Sequence, residues 1–197
     1  RDVLGSRGLG DVYKRQVVYI AHHTSNLSKT KLLKLLYLME ERMALKFHVP
    51  FIGIPFEVWQ AGPVAKDVFI DLSDGPFLLK SFVKTDFRDG GTFIEAVADF
   101  DDSEFSECEI EMMDEVLAKY GNMTASELVS ETHKEGTLWY RTAARAGLLE
   151  AFNKHECNNS DQQINFTEAM SDCAAEDYRE SLNIRQTANL LNAESHV

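Results

Sequence analysis

The chain has 197 residues, 32 of them acidic and 20 basic, for a formal net charge of −12. That length is enough for one compact domain with its own core. So acidic a surface argues against a nucleic-acid backbone or an anionic membrane as partner, since both need clusters of Lys and Arg, and suits solubility and a basic protein partner instead.

Residues 1–16 differ in character from the rest of the chain. Gly5, Gly8 and Gly10 invite comparison with a phosphate-binding loop. Such a loop needs a preceding strand and a following helix N-terminus, and four residues are too few for the strand. Ser6 to Gln16, SRGLGDVYKRQ, instead resembles transposase-type sequencing-adapter DNA translated in one frame. The segment 1–16 is therefore expected to be foreign to the fold, disordered, and without effect on stability, with the natural chain starting at Val17. Setting aside its four basic and two acidic residues leaves 16 basic against 30 acidic.

From Val17 the pattern is helical. VVYIAHH reads as the remnant of a helix, and Ser28 as the N-cap of the next. In KTKLLKLLYLMEERMALKF, Leu32, Leu35, Leu36, Met39, Met43 and Phe47 share one face, and Leu33, Tyr37 and Leu38 widen it almost all round. Such a helix is central, with Lys29, Lys31 and Lys34 expected to keep its first turns in water. Val49-Pro50 ends it. FIGIPFEVW is extended, Gly62 allows a reversal, and Pro63 is placed to open a helix at its first position. Phe82–Phe87 and Thr92–Ala98 read as a hairpin about Asp89-Gly90.

Ten acidic residues then lie between Glu95 and Glu115 with no Lys or Arg among them. Ser106 with Glu109, and Thr124 with Glu127, are capping boxes. Gly121 ends the first of these helices and His133 the second, while Thr137 caps a helix carrying Leu138, Trp139 and Tyr140, closed by Gly147. From Asn153 the chain is polar, and FTEAMSDCAAEDYRESLNIRQTANLLNAE forms weakly amphipathic helices. The expected architecture is mainly α: a compact helical domain over 17–152 with a small β-hairpin insertion, and a polar linker and helical C-terminal extension over 153–197.

Catalytic signatures are missing: there is no Gly-x-Ser-x-Gly, no His-Glu-x-x-His and no nucleophilic cysteine context. His133 is read as a capping or hydrogen-bonded histidine, with a small hydrolase or metal enzyme using it as the rival. Cys108, Cys157 and Cys173 form no closely spaced pair, which reads as reduced thiols in the cytoplasm and argues against a zinc site. The acidic run lacks the glycine of a calcium loop, so it reads as a solvated helix entrance, with a docking face for a basic protein as the alternative. No metal or cofactor is expected. Trp139 reads as core, and Trp59, beside a Gly-Pro turn, as core or surface anchor.

Three stretches in order, LLKLLYLME, PFEVWQAGPVAKDVF and SETHKEGTLWYRTA, resemble the Panacea domain family, the SocA-like antitoxin domain also seen in phage-associated proteins. The family pattern maps onto Lys34, Leu35, Leu36 and Tyr37; onto Phe56, Trp59, Gly62, Pro63 and Val64; and onto Thr132, His133 and Trp139. Gln60 and Ala61 stand where the family often has a basic residue and a Tyr. The resemblance implies a helical, non-catalytic bacterial antitoxin that neutralises a toxin encoded beside it by direct contact; one branch instead delivers its toxin to a protease. Candidate partner contacts are Trp59, Gln60, Gly62, Pro63, Val64 and His133, with the C-terminal helices as a second candidate.

Overall fold

The structure is a computed structural model, which describes residues 11–73, 75–103 and 105–194. Its architecture is helical with two small antiparallel hairpins. The centre is α2, Lys29–Phe47, which has the span that its apolar pattern predicts. Ser28 caps it, its hydroxyl accepting from the Lys31 N–H at 3.2 Å. Leu32, Leu35, Leu36 and Met39 have no exposed surface. An apolar helix of this kind must be covered on several sides, and α1 (Asp11–His23), α4 (Glu107–Tyr120), α5 (Ala125–Thr132) and strand β2 (Gly62–Val64) all pack on it.

The helix α1 corrects one part of the expectation for residues 11–16, that they are disordered. They are the first turns of that helix, with the side chains of Tyr13 and Gln16 buried, while residues 1–10 lie outside the described residues. The fit is imperfect in one informative place. Both amide atoms of Gln16 are buried with no hydrogen-bond partner. A buried polar group left unpaired costs about 1–3 kcal/mol. Gln16→Leu is therefore expected to raise stability by about 1–3 kcal/mol in urea titrations, whereas an unchanged or lowered midpoint would mean that the amide has partners in solution.

After α2 the chain reverses with His48 in the left-handed region, φ 56°. The first hairpin departs from the sequence expectation. Strand β1 (Glu57–Trp59) pairs with β2, Trp59 facing Gly62 across the two-residue turn Gln60-Ala61. Pro63 therefore lies in a strand, and α3 (Lys66–Asp71) starts three residues later. The second hairpin, β3 (Val83–Arg88) with β4 (Gly91–Ala96), has the expected turn, with Asp89 and Gly90 both at positive φ as a type I′ turn demands. Both capping boxes form. Gly121 ends α4 at an ordinary φ of −62°, so its role is space: a Cβ there would lie 2.5 Å from the Leu117 carbonyl oxygen.

Helix α6 (Leu138–Arg145), capped by Thr137, leads through Gly147 into a short α7 (Leu148–Asn153). The segment read as a polar linker runs along the open edge of β1. Val58 N–H donates to Gln162 O, Gln60 N–H to Asn158 O and Ile164 N–H to Phe56 O, at 2.8–3.0 Å. A 3-10 turn (Phe166–Ala169) and α8 (Asp172–Glu194) follow. Ile164, Phe166 and Tyr178 join the common core, so this part of the chain is packed into the domain. Among the described residues no helix is long and apolar enough to cross a membrane.

Candidate functional site

Lys34 departs most from expectation. It is 1 % exposed, not wet. It projects from the side of α2 that meets the first hairpin, and its Nζ donates to the Pro63 carbonyl at 2.8 Å. Burial lowers its pKa from 10.5 to about 7, because removing a cation from water penalises the charged form. Gly62 closes over it: at φ +94°, a Cβ here would sit 2.7 Å from Lys34 Cε and 2.8 Å from Thr132 Oγ1. Only glycine supplies both the dihedral and the room.

Thr132 ends α5 and is buried, its hydroxyl donating to Val129 O at 3.0 Å. His133 follows as the C-cap, its ring stacked on Trp139 with centroids 3.7 Å apart. The His133 Nε2 is buried without a hydrogen-bond partner. Burial, with the Lys34 charge as a second cause, depresses the pKa of His133 to about 4, so the imidazole is neutral at physiological pH. Trp139 is core, as read from the sequence, and its Nε1 donates to the Trp59 carbonyl at 3.1 Å. Lys34, Gly62-Pro63, Thr132-His133 and Trp139, from three distant stretches, thus form one cluster.

Trp59 is half-buried. Its Nε1 donates to Glu57 Oε2 at 2.9 Å and its ring meets Phe69 edge-on at 4.9 Å. Gln60 is also half-buried, its amide donating to the Phe152 carbonyl at 2.7 Å and lying 2.9 Å from His155 Nδ1. Gly62, Pro63 and Val64 are buried and present no side-chain surface. Among the candidate contacts, the structure therefore leaves Trp59, Gln60 and His133 reachable, with the other three as their support.

Beside the cluster opens a cleft of about 390 Å³. Gln60, His133, Trp139 and Tyr140 line it, together with Leu149, Phe152, Asn153 and His155 from α7 and the two residues after it. Apolar and aromatic walls with a few polar groups suit one inserted side chain of a partner. The lining from α7 escaped the sequence reading because this helix is six residues long and carries no motif. The acidic run is distributed over several tasks: Asp101 pairs with Arg15, Glu109 caps α4, and Glu115 meets Arg42 and Lys46. Cys108, Cys157 and Cys173 are free, and among the described residues no three His, Cys, Asp or Glu side chains are grouped to hold a metal ion.

Residues 32–140 match the family described as antitoxin SocA-like, Panacea domain, over more than half of the chain. The chain belongs to this family. No curated protein and no solved structure matches it. The matched span begins in α2 and ends in α6, so it includes the Lys34 cluster and four of the residues that line the cleft, Gln60, His133, Trp139 and Tyr140, while α7 and the strap along β1 lie beyond it.

Proposed function

We propose that this Panacea-domain chain is a cytoplasmic antitoxin that neutralises a cognate toxin protein by binding it directly, without turnover. One observation carries the reading: two of the three stretches that mark the family line one cleft, and the third packs against them through the buried Lys34. The occupant we assign to it is an apolar or aromatic side chain of a basic toxin. Tyr140 and Leu149, both half-buried, provide the matching surface, and a net charge of −12 attracts a cationic protein. Around His133 the arrangement favours binding over catalysis. A general base needs a pKa near the working pH and a group that orients it, whereas the pKa of His133 is depressed to about 4 and its Nε2 has no partner.

The test is growth rescue when the chain is co-expressed with the toxin encoded beside its gene, in a host with and without its adaptor-dependent protease. Rescue in both hosts is the expected result, since occlusion works by mass action. Rescue only where the protease is present would make the chain a delivery adaptor instead. Trp59→Ala is expected to leave the chain folded and weaken rescue. Unfolding of that variant would place Trp59 in the structural framework alone.

A further inference from the structure

The second hairpin has one covered edge and one open edge. Around its turn at Asp89-Gly90, the pairs Arg88↔Gly91, Asp86↔Phe93 and Lys84↔Glu95 exchange backbone hydrogen bonds. The residues between them turn their N–H and C=O groups outward. On β4 the outward N–H of Ile94 donates to Leu27 O at 2.8 Å, which covers that edge. On β3 the outward groups belong to Val83, Thr85 and Phe87. The Val83 N–H is taken by Leu79 O at 2.9 Å. The outward groups of Thr85 and Phe87 meet no partner among the described residues. Phe87 shares a face with the buried Val83 and Ile94, yet it is 75 % exposed. The opposite face is charged. Lys84 meets Glu95 at 2.8 Å, while Arg88 lies over the Phe93 ring and 3.8 Å from Asp86.

An open edge beside an exposed aromatic is a template for an added strand. We propose that its occupant is β3 of a second copy of this chain, paired antiparallel about a two-fold axis at Phe87. The strand is complementary to itself in that register. Asp86 faces Arg88 of the second copy, and the symmetry repeats the pair. The two Phe87 residues exchange their outward N–H and C=O groups, and their rings cover each other. Centring on Asp86 instead would set like charges directly opposite. Centring on Thr85 would call on Val83, whose N–H is already bonded. The Phe87 register overlaps only the ends of the two hairpins, and the strands run back into their domains in opposite directions, so the domains stay apart. A net charge of −12 makes two copies repel in general. On this face Lys84 and Arg88 balance Asp86 and Glu95. The contact is short, so the dimer is weak.

The experiment is sedimentation equilibrium of the full chain over a concentration series, with amide exchange at Phe87 followed in parallel. The parent is expected to pass from monomer to dimer, and the Phe87 N–H to exchange more slowly as the dimer fills. Asp86→Arg sets an arginine against Arg88 of the second copy, and Arg88→Asp sets an aspartate against its Asp86. Each is expected to raise the dimer dissociation constant by about tenfold or more, with circular dichroism showing the parent's fold. Mixed one to one, the two variants face each other with opposite charges at both positions, and association is expected to return to the parent's level. Phe87→Lys is expected to abolish association without lowering the melting temperature, because the side chain it replaces is exposed. A parent that stays monomeric, with Phe87 exchange independent of concentration, overturns the proposal. So does a dimer that survives Phe87→Lys, or a mixture of the two folded charge variants that fails to associate.

Discussion

Glu40→Leu is expected to destabilise the protein by about 3–5 kcal/mol, the cost of breaking a buried charged hydrogen-bond network from one side. Glu40 has no exposed surface, although it lies on the helix that carries the core. Its carboxylate accepts the N–H of Phe51 at 3.2 Å, of Ile52 at 2.5 Å and of Gly53 at 3.3 Å. These three donors belong to the segment that reverses the chain after α2, where no secondary structure satisfies them. Leu would fill the volume and leave the buried N–H groups of Phe51 and Ile52, and the half-buried one of Gly53, without this acceptor. Glu40→Gln keeps one acceptor and is expected to cost markedly less. Burial raises the Glu40 pKa to about 6, against the opposing pull of the three N–H bonds. The folded state thus holds an extra proton between pH 4.5 and about 6, and the stability that this proton contributes is lost as pH rises through that window. Urea titrations of the three proteins at a pH of about 7.5, above that window, check the ranking. A Leu variant within about 1 kcal/mol of the parent would show that the loop finds other acceptors.

Glu40 also shows where sequence reading stopped. The span of α2, its Ser28 cap, both capping boxes and the Asp89-Gly90 turn were legible because each is written in residues a few positions apart. The burial of Glu40 and Lys34 was not, since their partners are backbone groups 11 to 29 residues away in the chain. The first hairpin was hidden for a similar reason. Gly-Pro is a sound local signal for a helix start, yet Gly62 and Pro63 are held in a strand by β1, which is itself pinned by residues 158–164 about a hundred positions later. Of the cleft, the family stretches gave Gln60, His133, Trp139 and Tyr140, because motif residues keep their order in sequence as they converge in space. The lining from α7 and the two residues after it has no such signature. A weakly patterned polar segment reads as linker until its hydrogen bonds to β1 are seen.

Lys34 yields the second large effect, a stability that climbs with pH above neutrality. In the unfolded chain its amine titrates near 10.5 and in the folded protein near 7. Between those values the unfolded state binds the extra proton, so stability rises with pH across the window and is lost as pH falls back through 7. A tenfold change in proton affinity is worth about 1.4 kcal/mol, which puts the full change at about 3–5 kcal/mol. Neighbouring titrations leave this window readable. His133, lowered by burial and by Lys34, acts below it, between about 4 and 6.5. The tyrosines Tyr13, Tyr37 and Tyr178 are raised by burial above their ordinary value of 10, and so act above it with opposite sign. Lys31, also lowered by burial, adds a smaller slope of the same sign. Lys34→Met has similar length and no charge. It gives up one hydrogen bond, to Pro63 O, and removes the cost of keeping an amine from water. The expected result is a nearly flat stability profile between pH 7 and about 10, with the variant at least as stable as the parent at pH 7. Denaturant midpoints measured across that range decide the matter. A flat profile in the parent would mean that Lys34 keeps its charge when folded, and a steep profile surviving in Lys34→Met would assign the titration to another group.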